Sequence, residues 1–215
     1  MSSRRMKLPI RLIAVLAVCA CFAQATPARA LDFAERSGAL SLRTGLGLNG
    51  CTGGRCDRLA PMLYTRLDVD YRLLPYLAVG VHFAALFQAA KYPTYDDAGR
   101  QWDMVLGPEA RVIMPLEAVD LWVGAMIGYA RTSRSLALAE SRWQGFSFGA
   151  GLGGDYFIVQ DRFTVGAEAW FYAPVHLRVC TRFDGPQTCS GPSAAGRGRG
   201  AIIAVGATAT LYWDL

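Results

Sequence analysis

The sequence predicts an all-β fold: an eight-stranded antiparallel up-and-down transmembrane β-barrel over residues 31–215, preceded by a cleaved signal peptide over residues 1–30. Three observations predict it. Stretches that alternate large apolar with small or polar residues fit eight times after residue 30, and the connections between them alternate between short and long. No apolar segment after residue 30 reaches the ~18 residues that a transmembrane helix needs, so a membrane crossing here must use strands.

At the N-terminus, Arg4, Arg5, Lys7 and Arg11 flank an apolar run from Leu12 to Ala23, and Ala28-Arg29-Ala30 offers small residues where a signal peptidase reads them. The run is too short to cross ~30 Å of hydrocarbon as a helix, so the segment reads as an export signal cut before Leu31. The alternating stretches follow as 38–49, 62–73, 77–89, 102–114, 121–131, 143–158, 163–179 and 201–215. Each has the ~9–11 residues a tilted strand needs to cross. The clearest places Phe146, Phe148, Ala150, Leu152, Tyr156 and Ile158 on one parity, for lipid. Gly145, Ser147, Gly149, Gly151, Gly153 and Asp155 fall on the other, for a crowded polar interior. Residues 73–76, 115–120 and 160–162 read as tight turns, whereas 50–61, 90–101, 132–142 and 180–200 read as longer outer loops rich in Gly, Pro and charge.

Net charge points to no polyanion partner. Residues 1–30 hold five of the 22 basic residues and none of the 17 acidic ones, so the remainder is neutral and gives no support for nucleic-acid binding. After residue 30, 16 of the 17 basic residues are Arg and only Lys91 is Lys, which suits fixed multidentate ion pairs. The interior parity collects Arg43, Arg66, Asp68, Asp70, Arg72, His82, Asp103, Glu109, Arg111, Asp155, Glu168, His176 and Arg178. An eight-stranded barrel is only wide enough for side chains to fill it, so opposite charges there must be paired. The expected core of this ion-pair plug sets Asp68, Asp70, Glu109 and Glu168 against Arg43, Arg66, Arg72 and Arg111.

On strand number, loop asymmetry and the last strand, residues 38–215 resemble the small eight-stranded outer-membrane β-barrels, the class that includes OmpX and the membrane domain of OmpA. Leu211, Trp213 and Leu215 lie on the lipid-facing parity and resemble the terminal signal by which that family's insertion machinery recognises its clients. The family usually ends in an aromatic residue; this chain ends in Leu215. The resemblance implies an outer-membrane location in a Gram-negative-type cell.

Motifs with catalytic associations fail on context. Gly45–Gly50 and Gly149–Gly154 match the dinucleotide fingerprint, but no helical pattern follows either to present an N-terminus to a pyrophosphate. Gly145-Phe146-Ser147-Phe148-Gly149 matches a nucleophile elbow, yet the strand continues through it where that motif demands a sharp turn into a helix. Alternate glycines more simply make room for bulky neighbours in a narrow barrel.

Cys51, Cys56, Cys180 and Cys189 all fall in the first and last outer loops and suggest two disulfides in an oxidising compartment. Pairing of Cys51 with Cys56 and of Cys180 with Cys189 would staple one loop each; cross-loop pairing stays open, since the first and last strands are neighbours in a closed barrel. Lys91, Tyr92 and Tyr95 in the second outer loop and Arg182, Arg197 and Arg199 in the fourth offer contact surfaces, the arginines toward lipopolysaccharide phosphates. Trp102, Trp143, Trp122, Tyr129, Tyr76 and Trp213 near strand ends suit interfacial girdles, although the parity of Trp122 points it inward.

The sequence thus predicts a structural or surface-interaction barrel, not an enzyme and without cofactor or metal. Its partners are the lipid bilayer and lipopolysaccharide, the barrel-insertion machinery and an unidentified loop partner. Three alternatives remain: a narrow pore, a lipid-A-modifying barrel enzyme using His176 with Ser135 or Ser141, and a soluble lipocalin-like carrier.

Overall fold

The computed structural model describes residues 37–52, 59–90, 99–135, 139–159, 162–183, 185–191 and 200–214. Nine strands follow in chain order: β1 (Ala39–Thr52), β2 (Leu59–Leu74), β3 (Leu77–Ala90), β4 (Arg100–Pro115), β5 (Val119–Ser135), β6 (Ala139–Val159), β7 (Phe163–Phe183), β8 (Thr188–Ser190) and β9 (Ala201–Asp214). Sequential antiparallel pairing runs from β1 through β7, β9 pairs with both β7 and β1, and the ring of eight long strands is closed. The three-residue β8 pairs only with β7. Closure leaves no sheet edge along the body of the barrel, the condition for strands to exist in hydrocarbon.

Period two sorts the side chains. Leu46, Leu48, Val81, Val123, Leu152 and Val205 point outward and are 53–65% exposed, and Leu211 and Trp213 on β9 point outward at 45% each. Arg43, Arg66, Asp68, Asp70, Arg72, Glu109, Arg111 and Glu168 point into the lumen and are at most 4% exposed. Water would have to hydrate the apolar exterior at ~25 cal/mol per Å², whereas a bilayer covers it. Leu215 and Cys56 lie outside the described residues.

The short turns fall where the sequence places them. One is closed by Leu116 N–H donating to the Val119 carbonyl at 2.8 Å, another by Arg162 N–H donating to the Val159 carbonyl at 3.2 Å. The outer ends depart from the sequence reading. Residues 132–142 were expected as a loop, but β5 continues to Ser135 and β6 begins at Ala139, with Ser135 opposite Glu140 and Arg134 opposite Ser141. Beyond Val179, β7 runs on to Phe183 against Ala139, and β8 returns beside it. Backbone pairing persists past the apolar belt because polar side chains are no obstacle to a ladder outside lipid.

Candidate functional site

Among the described residues, chemistry-bearing side chains of several strands converge in the lumen. Arg66 on β2 sits at its centre, with Nη2 2.9 Å from Asp68 Oδ2 and Nη1 2.6 Å from Glu168 Oε2. Arg111 on β4 holds Glu109 Oε1 through Nε at 2.7 Å, pairs through Nη2 with Asp70, and lies 3.7 Å from Asp68 Oδ2. His82 on β3 fits between them, its Nδ1 3.0 Å from both Asp68 Oδ1 and Glu109 Oε2, and its Nε2 3.0 Å from the Tyr172 hydroxyl. Across the barrel, the Tyr64 hydroxyl donates to Glu168 Oε1 at 3.0 Å. Glu109 and Glu168 each split their oxygens between a guanidinium and a second donor, Asp68 faces Arg66 and shares the one Nδ1 proton of His82 with Glu109, and Asp70 is met by Arg111, the pairing that buried charge requires.

Two of the expected arginines find other partners. Arg43 bridges Asp155 at 2.7 Å, whose other oxygen accepts from Thr208 at 3.0 Å. Arg72 bridges Asp120 at 2.6 Å and donates through Nε to the Pro75 carbonyl at 3.1 Å, tying the β2–β3 turn to the lumen. The sequence reading set these two against the carboxylates of the central cluster. Cross-lumen neighbours depend on the stagger of the closed sheet, which alternation does not encode. Asp120, read as a turn residue, lies inside at 2% exposure.

Aromatic rings fill the space between the charges. Trp122 is 3% exposed and belongs to the interior, not to a girdle. The guanidinium carbons of Arg43, Arg66 and Arg111 lie 5.0, 5.7 and 5.4 Å from its ring, and Arg66 lies 5.3 Å from Trp170. These are cation–π distances. Trp170 stacks on Tyr172 at 5.8 Å, and His82 lies 4.7 Å from Trp170. The neighbouring strand makes room with glycine: a Cβ on Gly151 would stand 2.5 Å from the Trp170 ring, and one on Gly153 2.5 Å from Trp122 Cζ2. Both glycines belonged to the discounted dinucleotide-like motif.

Toward the outer end lies a second polar layer, of which the sequence reading named Asp103 and His176 but not Asn49, Gln88, Gln101 or Thr132. Asn49 Nδ2 donates to the Leu63 and Phe87 carbonyls at 2.8 and 2.9 Å, Gln88 donates to Asn49 Oδ1 at 3.0 Å, and Gln101 donates to Gln88 Oε1 at 3.0 Å and Asp103 Oδ2 at 3.2 Å. Thr132 donates to Asp103, and His176 Nε2 lies 3.4 Å from the same hydroxyl. Inward parity of Asn49, Gln88 and Gln101 was the available signal. Neutral amides drew less notice than charges.

This arrangement bears on catalysis and on metals. The expected serine partners of His176 are dispersed: Ser135 and Ser141 stand on strands β5 and β6, and the hydroxyl beside His176 is that of Thr132, already directed at a carboxylate. Among the described residues, the contacts of His176 do not join it to Ser135 or Ser141 as base to nucleophile. Asp68, His82 and Glu109, among the described residues, bring ligand atoms within 4.8 Å of one another and could hold a cation. Arg66 and Arg111 already neutralise the same carboxylates, so a divalent ion there would meet two adjacent guanidiniums. Arg178, expected inside, is exposed beside a shift of register, where the pairing of β6 jumps from Gln144–Arg178 to Gly145–His176. A disulfide joins Cys180 to Cys189, nine residues apart, across the β7–β8 pair; Cys51 is also disulfide-bonded.

No protein-family model matches the chain. No curated protein matches it in sequence. Solved structures do match it in shape. Neisserial surface protein A (NspA) superposes with a TM-score of 0.52 at 13% identity, over 83% of this chain and 98% of that one. The N-terminal β-barrel domain of Pseudomonas aeruginosa OprF gives 0.51 at 10% identity over 82% and 98%, and the outer membrane protein OprG from Pseudomonas aeruginosa gives 0.52 at 11% over 81% and 96%. At these identities the likeness speaks to architecture. The chain folds as a closed, eight-stranded antiparallel barrel of the small outer-membrane type.

Proposed function

We propose that this protein is a non-catalytic outer-membrane barrel with a structural or surface-interaction role, exported by residues 1–30 and closed to ions by its interior ion pairs. One observation carries the reading: a lumen of mutually paired, buried charges and aromatic rings is wrapped by an outward apolar belt. An eight-stranded lumen has room for side chains or for a water column, and the buried, paired side chains support the first. The inverted sorting, apolar inside and polar outside, is what a soluble carrier would need. The outward Leu211 and Trp213 support a role for the last strand, with Leu215, in recognition by the insertion machinery. The bilayer is thus the principal partner, and the outer hairpins present the surface for any other.

The test uses the barrel purified in detergent. A folded band on SDS gels that shifts on boiling, together with no discrete conductance steps in planar bilayers, supports the reading. Discrete steps would make the protein a narrow pore. A protein that folds in plain buffer, with no heat-shifted band, would make it a soluble barrel.

A further inference from the structure

Among the described residues, outward charge on the strands of this barrel is confined to one patch. Among the described residues, the outward-facing positions of β1, β2, β3 and β9 carry no Arg, Lys, Asp or Glu. Outward charges on the strands occur only at the outer ends of the four consecutive strands β4 to β7. Directly paired residues in an antiparallel sheet share a face, so the register defines the rows. Arg131 on β5, Gln144 on β6 and Arg178 on β7 share one row, Arg142 on β6 stands between Ser133 and Cys180, and Arg100, Ser135, Glu140 and Arg182 form the next row. Five arginines and one glutamate thus share one face, and Glu140 is engaged by Arg142 Nη2 at 2.7 Å.

The patch begins where the apolar belt ends. Leu106, Tyr129, Phe146 and Val175, at 40–43% exposure, lie on the outward parity of the same strands, Tyr129 two residues below Arg131. Rows two residues apart rise by ~6.8 Å, and neighbouring strands lie ~4.8 Å apart, so the lowest arginines stand at the depth of lipid headgroups, about 10 Å from one another. Arg131 lies over the outward Trp102, guanidinium carbon to ring centroid 5.7 Å, an arrangement suited to the interface. Guanidinium groups grip phosphate through two parallel hydrogen bonds and are less strongly hydrated than ammonium groups.

We propose that this β4–β7 arginine face binds the phosphate groups of lipids in the surrounding outer leaflet, orienting the barrel and gathering phosphorylated lipid on one side of it. The inference rests on the membrane reading above and deepens it. Arg131, Arg142, Arg178 and Arg182 form the patch nearest the belt, with Arg100 at its flank.

The experiment measures binding of diphosphoryl lipid A to the purified barrel in neutral detergent, against dephosphorylated lipid A and against inorganic phosphate as competitor. Diphosphoryl lipid should bind at least about tenfold more tightly than the dephosphorylated form. Arg131→Gln/Arg142→Gln/Arg178→Gln/Arg182→Gln should lose about tenfold or more, and the affinity should weaken steeply with salt. Arg178→Gln/Arg182→Gln, which changes only exposed side chains, gives the same direction should the quadruple variant not fold. Equal affinity for both lipids, or no loss in variants that keep the heat-shifted band, overturns the proposal. Displacement by millimolar inorganic phosphate also overturns it, since the site would then serve free anion. A wild-type chain with no heat-shifted band would instead overturn the membrane reading itself.

Discussion

Replacing Arg66 with Met removes one guanidinium and leaves two carboxylates behind. Asp68 keeps His82 at 3.0 Å and Arg111 at 3.7 Å, whereas Glu168 keeps the Tyr64 hydroxyl at 3.0 Å and the more distant charge of Arg43. The side chain is fully shielded and lies against two tryptophans, so water does not replace the lost partner. Breaking a buried pair from one side costs roughly 3–5 kcal/mol. That corresponds to about two to four decades in the unfolding equilibrium. The assay is urea unfolding in detergent micelles, with the folded fraction read from the heat-shifted band and tryptophan emission. Arg66→Met/Glu168→Gln removes both members of the pair while keeping an acceptor for Tyr64, and should recover on the order of 2 kcal/mol. A single variant within about 1 kcal/mol of wild type, with the double variant merely additive, would refute the plug: the charges would then be solvated by lumenal water.

The same geometry yields further expectations. Gly151→Val drives a side chain into the Trp170 ring, since even a Cβ would stand 2.5 Å away, and should destabilise by about 1–3 kcal/mol in the same unfolding assay; Trp170→Leu should relieve part of that. Leu152→Arg places a charge on the belt at a position 60% exposed and should cost about 2–4 kcal/mol near the midplane, read as failed insertion into vesicles while folding in micelles persists. Reducing Cys180–Cys189 releases a nine-residue separation, worth about 2.5–3 kcal/mol of chain entropy on the β7–β8 hairpin. Hydrogen exchange should therefore accelerate at Val179–Thr181 and Thr188–Ser190 while the barrel keeps its heat-shifted band.

Legibility followed from what period two can and cannot carry. It decides which face a residue takes, so the inward set from Arg43 to Glu168 and the outward Leu211 and Trp213 are readable from the chain. It does not decide who meets whom across the lumen, because the stagger of the closed sheet is a global quantity. Hence Arg43 meets Asp155 and Arg72 meets Asp120, pairs that no local pattern announces. Nor does it mark where a strand stops outside lipid: Arg134 and Ser141 look like loop residues by composition and pair as strand residues by geometry. The interior tryptophans were half legible. Gly149, Gly151 and Gly153 signalled that something bulky stood beside β6, while its identity waited on the β6–β7 register that sets Gly151 opposite Trp170.

The preference for arginine after residue 30 becomes intelligible from where the arginines go. Inside, Arg66 and Arg111 each engage two or more carboxylates while presenting a flat face to Trp122, which a lysine ammonium cannot do together. Outside, the arginines stop at the rim and leave the belt uncharged. A one-residue slip of any central strand would exchange these environments, carrying Arg66 or Arg111 into hydrocarbon at about 2–4 kcal/mol each and stranding their carboxylates in the lumen. The charges therefore penalise every odd slip of register, while an even slip keeps them inside but separates the pairs that the native stagger joins. Glutamine at both Arg66 and Glu168 should then lower stability modestly yet widen the distribution of strand registers. Crosslinking cysteines at the directly opposed outward positions Leu42 and Val69 reads this, since their yield should fall only if register is loosened.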